Sequence, residues 1–233
     1  MNGKKGFIPQ LSRAEVRRGA VLFPIYFFLM PALFGFLANF FRSYFHITVD
    51  AGIVNFSFYV FMTLLIFLLF HRFLGQSFGK LLQKPGSALL GILIGLVFYF
   101  GFQVILSPIT ETVENLNNNQ MVSQAIQTPW LMFVMTVILA PIVEETLFRG
   151  LVFGTIRKSS RIMAYVVSTL LFCLLHVWQQ IFATWDPRYF SLMLPYVAPS
   201  LALAWCYEKS ESIWAPMVLH GGINAIAMVT VLW

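Results

Sequence analysis

The sequence predicts an all-α, polytopic membrane bundle, and three observations carry that prediction. First, 59% of the 233 residues are apolar and only 10% are charged, against about 25% charged in an ordinary soluble domain. So few charges cannot clothe so much apolar surface in water, whereas lipid solvates it directly. Second, the apolar residues fall in several runs of roughly 20, the length a helix needs to cross a bilayer core. Third, the basic residues are clustered. Lys4, Lys5, Arg13, Arg17 and Arg18 precede the first run, Arg72, Lys80 and Lys84 follow the second, and Arg157, Lys158 and Arg161 separate two later ones. Basic clusters at alternate loops mark the cytoplasmic side. The net charge of +6 is therefore read as topology and not as a nucleic-acid surface.

Each element follows from these patterns. Residues 1–19 are polar and basic, a cytoplasmic tail or surface helix. Arg17-Arg18 resembles a twin-arginine export signal only superficially. The run behind it is too long for one and has no small-residue cleavage site. Residues 20–41 form the first span, with Pro24 and Pro31 inside it, as membrane helices tolerate. Residues 52–71 form the second; the sequon at Asn55 sits at its head and is discounted. The third, 86–107, starts behind Pro85-Gly86 and carries Gly91 and Gly95, spaced for close helix contact. Residues 108–128, with Glu111, Glu114 and a run of amides, are polar and belong to an outer loop or short surface helix. The remaining spans are 129–156, 161–183, 190–207 and 212–232. Seven spans from a cytoplasmic N-terminus put every basic loop inside; a short extra helix would make eight. The chain reads as one membrane domain, 1–233, without repeats. It is a multi-pass protein of a cell membrane, with bilayer lipid as its constant partner. Cys173 and Cys206 lie inside apolar stretches and read as small fillers.

Ionisable groups in hydrocarbon cost at least ~2.5–3.5 kcal/mol each on insertion scales, so those away from loops are informative. Glu144, Glu145, His176 and His220 stand out, all within the helical core 129–232. The first three spans offer none, which assigns any chemistry to the second half. On a helix Glu145 and Arg149 are four residues apart and can pair. Glu144 is turned about 100° away and is left to face a cavity. The plainer explanation is that these charges sit at the helix's cytoplasmic end, but adjacent glutamates facing two ways need more than one partner. His220 and Asn224 share a helix face. Gly221 and Gly222 between them are expected to leave open space. A glutamate and a histidine can deprotonate water, while a second histidine and an amide can donate to an oxyanion. Alternatively the two histidines and one of the glutamates can hold a zinc ion. Both routes end in hydrolysis of a carbonyl, such as a peptide bond.

Three motifs in order give this set a family likeness: Glu144-Glu145-x-x-x-Arg149, Phe172-x-x-x-His176 and His220-x-x-x-Asn224. They resemble the motifs of the CAAX-protease and bacteriocin-processing (Abi) family of intramembrane proteases, which includes the type II CAAX prenyl endopeptidases. The resemblance, to the bacterial branch in particular, implies an intramembrane peptidase of a bacterial plasma membrane acting on a hydrophobic or lipidated peptide, with its site open to the cytoplasm. It implies that Glu144 and His176 activate water, that His220 and Asn224 steady the oxyanion, and that Glu145, Arg149 and Phe172 support them. If the family's chemistry uses a metal, Glu144, His176 and His220 are the matching ligands. Two other classes fit the composition: a non-enzymatic membrane partner such as a bacteriocin-immunity protein, and a small proton-coupled transporter. One strain in the topology is that His176 lies about 15 residues into its span, whereas Glu144 and His220 lie nearer the predicted cytoplasmic side.

Overall fold

A computed structural model describes residues 11–110 and 115–232. Among the described residues all regular structure is helical, in eight helices. Seven of them are long and apolar enough to cross a membrane: α1 (Arg13–Phe45), α2 (Ala51–Gln83), α3 (Pro85–Thr110), α5 (Pro129–Ile156), α6 (Arg161–Thr184), α7 (Pro187–Ser210) and α8 (Trp214–Leu232). The short α4 (Leu116–Gln127) lies in the polar segment 108–128. Glu111 and Glu114 lie outside the described residues.

Helix starts follow from local side chains. Ser12 and Glu15 form a capping box at α1, so the first helix begins inside the segment expected as a tail. Asp50 accepts from the amides of Gly52 and Ile53 at the head of α2. Asn115 caps α4, Ser160 caps α6 and Asp186 caps α7 in the same way. The helices α1, α6 and α7 end at His46, Trp185 and Glu211, each with a left-handed backbone.

The outward faces are apolar. Val97, Val104, Leu64 and Leu68 are more than 60% exposed, which is tolerable only against lipid. Inside, one apolar cluster takes side chains from all seven spans, among them Phe27, Ile66, Ala88, Phe148, Phe172, Leu203 and Leu219. Gly91 and Gly95 let α3 lie close on its neighbours: a Cβ at Gly91 would stand 3.3 Å from Cys206 Sγ, and one at Gly95 would run into Leu219. The spacing thus serves contact within the chain.

Four departures from α geometry shape the interior. α2 bends at Phe70. Just beyond the bend, the amide of Phe73 donates to buried Glu15 at 3.1 Å. α1 carries a π-helical turn after Pro24, at Ile25–Leu29. α5 carries two π-helical stretches, Val134–Leu139 and Thr146–Phe153, on either side of Pro141 and the two glutamates. Pro141 has no N–H for the carbonyl one turn before it. Wide turns of this kind occur mostly where a function needs them.

Candidate active site

α5 puts Glu144 and Glu145 on different sides of one helix, and the surroundings then divide their roles. Glu145 is fully buried. Its Oε1 accepts from Arg149 Nη1 at 3.2 Å and faces His220 Nδ1 at 2.8 Å. Arg149, also fully buried, donates from Nη2 to the carbonyl and hydroxyl of Ser200 on α7, at 3.2 and 3.0 Å. Its guanidinium lies 4.2 Å above the Phe172 ring. The predicted Glu145–Arg149 pair is therefore present, and it reaches α6, α7 and α8.

Glu144 takes a different partner. Its Oε1 accepts from the Tyr59 hydroxyl of α2 at 2.8 Å, and Tyr26 of α1 stands behind, hydroxyl to hydroxyl at 3.5 Å. Its Oε2 is buried and has no hydrogen-bond partner among the described residues. Glu145 Oε2 shares that condition, but Glu145 is neutralised by Arg149. Glu144 forms part of the wall of a cavity of about 720 Å³. The tyrosines add polar groups from the first two spans to a set of candidates that otherwise lies in the second half. The signal was present in the sequence: a tyrosine inside an apolar run must find a partner for its hydroxyl.

The two histidines present the same nitrogen to that cavity. His176 Nδ1 lies 2.9 Å from the Phe172 carbonyl. A carbonyl only accepts, so Nδ1 carries the proton and Nε2 keeps a lone pair. The ring is stacked on Tyr196 at 4.1 Å. His220 Nδ1 is held by the Glu145 carboxylate, the kind of contact that fixes a ring's tautomer and orientation. His176, His220 and Asn224 all line the cavity with Glu144. Asn224 Nδ2 donates to the Thr136 carbonyl at 2.7 Å, inside the first π-helical stretch of α5. One amide N–H of Asn224 remains for another acceptor. Phe172 touches Arg149, His176 and His220 at once, so its supporting place follows from position.

The depths agree once the helix ends are known. α5 runs on to Ile156 and α6 starts at Arg161. Glu144 and His176 then lie ~18 and ~22 Å along their helices from the same turn, at 1.5 Å per residue. α8 starts late because its leading turn is tied inside α2: Ser212 Oγ donates to the Ser77 carbonyl, the Ile213 amide to Ser77 Oγ, and Trp214 Nε1 to the Leu74 carbonyl. The glycines of α8 differ from each other. A Cβ at Gly222 would meet nothing, as expected, but one at Gly221 would run into the Val137 carbonyl oxygen. Gly221 is thus a close helix crossing and not open space. Cys173 is buried, in keeping with a filler.

No three His, Cys, Asp or Glu side chains among the described residues are grouped as a metal site. As placed, Glu144, His176 and His220 do not close around one ion.

A family model described as type II CAAX prenyl endopeptidase Rce1-like matches residues 126–226. UPF0177 protein YbdI of Lactococcus lactis subsp. lactis (strain IL1403) is 25% identical over 150 residues, 64% of this chain and 76% of that one. YdiL of Bacillus subtilis (strain 168), which carries a membrane-peptidase name, is 28% identical over 113 residues, 48% of this chain and 42% of its own length. UPF0177 protein YxdF of the same Lactococcus strain is 30% identical over 87 residues, 37% of this chain and 42% of its own length. No solved structure matches the chain. The family match covers α5, α6, α7 and most of α8, which hold all three motifs. Over residues 126–226 the chain resembles the type II CAAX prenyl endopeptidases, the family its motifs point to.

Proposed function

We propose that this protein is an intramembrane peptidase that hydrolyses a peptide bond in a membrane-anchored or hydrophobic substrate. The observation that carries the reading is Glu144 Oε2, a buried carboxylate oxygen without a protein partner, in the wall of a cavity that two histidines share. A buried polar atom left unpaired costs ~1–3 kcal/mol, and a water bound there relieves it. Glu144 takes a proton from that water as its oxygen attacks the carbonyl carbon, with His176 Nε2 accepting the water's other hydrogen bond. The carbonyl oxygen becomes an oxyanion. The free N–H of Asn224 donates to it, and so does His220 Nε2 when the ring holds two protons, its Nδ1–H resting on the Glu145 carboxylate. Collapse of the tetrahedral intermediate breaks the C–N bond, and Glu144 returns its proton to the departing amine. Tyr59 holds Glu144 from behind, while Glu145 and Arg149 hold His220.

The membrane-peptidase name of YdiL and the family match support the same class of reaction. The test is cleavage of membrane-anchored peptides, lipidated and unmodified, by the purified protein in lipid. Glu144→Gln, His176→Ala and His220→Ala run beside it, with and without a zinc chelator. We expect cleavage that all three substitutions abolish. Cleavage that survives Glu144→Gln would sink the mechanism, and loss on chelation alone would move it to a metal-bound water.

A further inference from the structure

The cavity has a direction. α5 lines it from Met132 to Glu144 and no further, α6 from Phe172 to Gln179, and α8 from His220 to Val231. On each helix the wall residues occupy the half away from the turn at 157–160. Toward that turn the bundle is closed. Phe148, Arg149, Phe153, Leu203 and Tyr207 are fully buried there, and Glu208 gathers Arg157, Arg161 and Tyr165 at 2.6 to 2.9 Å. Away from it, α4 forms part of the rim through Asn118 and Met121.

The charges sort along the same axis. Among the described residues, Arg13, Arg17 and Arg18 open α1. Arg72, Lys80 and Lys84 belong to the matching end of α2, and Arg157, Lys158, Arg161 and Lys209 to the turns beside it. The rim end has Arg42 and Arg188, with Asp50 and with Asp186, which pairs with Arg188 at 2.6 Å. Tyr44, Trp130 and Trp185, each more than 70% exposed, stand at the rim ends of α1, α5 and α6. They form the aromatic belt expected at a membrane–water boundary. Such an asymmetry of Lys and Arg orients a membrane protein with its basic end in the cytoplasm.

Together the two directions oppose the cytoplasmic opening that the family likeness implies. We propose that the catalytic well opens on the extracytoplasmic side, so that the scissile segment belongs to a membrane-anchored peptide presented from outside. This rests on the peptidase reading above for the word scissile; the sidedness of the well does not. A C-terminal cysteine lipidated in the cytoplasm would meet the closed end of the bundle.

The test is cysteine labelling in sealed vesicles with a membrane-impermeant maleimide. The unmodified chain, whose two cysteines are buried, is the blank. Ala227→Cys in the well and Asn118→Cys at its rim should label in right-side-out vesicles and not in inverted ones. Ser159→Cys, exposed in the α5–α6 turn, should do the reverse. The opposite pattern overturns the proposal, and so does an Ala227→Cys that labels only after the bilayer is dissolved. In right-side-out vesicles a lipid-anchored peptide added from outside should be cut, and Glu144→Gln should stop the cutting. Labelling as expected without cutting would sink the peptidase reading and leave the sidedness standing. Cutting with reversed labelling would sink the sidedness alone.

Discussion

The two halves of the bundle use the same helices to opposite ends. Between Phe172 and the basic turn, α5, α6 and α7 are packed without a gap, and a fully buried arginine finds a carboxylate, a carbonyl, a hydroxyl and an aromatic face. On the other side of Phe172 the helices part around a cavity of about 720 Å³. Adjacent glutamates mark the border. Glu145 belongs to the packed half and is bound by Arg149 and His220. Glu144 belongs to the open half and keeps one oxygen unpaired. Sequence neighbours of identical chemistry therefore have different surroundings. Helical geometry turns one toward a cation and the other toward the well.

The comparison breaks most visibly at the glutamates. If Glu144 serves the reaction and Glu145 the fold, Glu144→Gln should lower cleavage by about 10²–10⁴-fold, the range of a general acid–base group. Its melting temperature in detergent should stay unchanged or rise, because the buried carboxylate charge is gone. Arg149→Ala should do the reverse. Removing one partner of a buried pair leaves the other charge uncompensated and costs about 3–5 kcal/mol, so the melting temperature should fall sharply and activity should fall with the folded fraction. Replacing both partners, Glu145→Gln with Arg149→Met, should recover part of the stability. A double variant no better than Arg149→Ala would show that the pair acts through something other than its charge.

Tyr59 sharpens the comparison from the substrate side. It is the donor that pins Glu144 Oε1. Tyr59→Phe keeps the ring and removes the donor, so kcat should fall by about tenfold, ~1.4 kcal/mol on the barrier, with KM little changed. A packing role alone would not shift the split between kcat and KM.

How much of this could be read from the sequence depends on range. Periodicity and charge placed the seven spans to within a few residues at most ends, because lipid imposes run length and loop charge directly. α1 and α2 are the exceptions: a capping box carries α1 back to Arg13, and α2 runs on past the expected end at residue 71 to Gln83, beyond what apolarity alone would suggest. The Glu145–Arg149 contact was legible because both residues lie on one helix, four apart. The contacts Tyr59–Glu144 and His220–Glu145 were not, since they join residues 85 and 75 positions apart. They depend on where α2 and α8 pack. Packing in turn depends on a bend at Phe70 and wide turns in α5, which apolar periodicity does not register. The direction of the well was hidden for the same reason. Charge predicts an orientation for the helices, but only the packed side chains show which end is closed.

The smallest expected effects come from the glycine pair in His220-Gly221-Gly222-Ile223-Asn224, which the sequence treats as equivalent. A methyl at Gly221 would be driven into the Val137 carbonyl of α5. The obstacle is backbone and cannot swing aside, so α8 must move away, and overpacking of this kind costs ~1–3 kcal/mol. The shift would carry His220 and Asn224 with it and loosen the Asn224–Thr136 bond at 2.7 Å. Gly221→Ala should therefore lose both stability and cleavage. At Gly222 a methyl meets nothing, and alanine improves helix propensity by up to ~1 kcal/mol. Gly222→Ala should be neutral or slightly more stable in a melt, with cleavage unchanged. Equal losses from both substitutions would mean that α8 needs flexibility at this point. Equal tolerance would mean that the close crossing at Val137 does not hold the site. Only an unequal result supports a site built where one helix is pressed against another and then released.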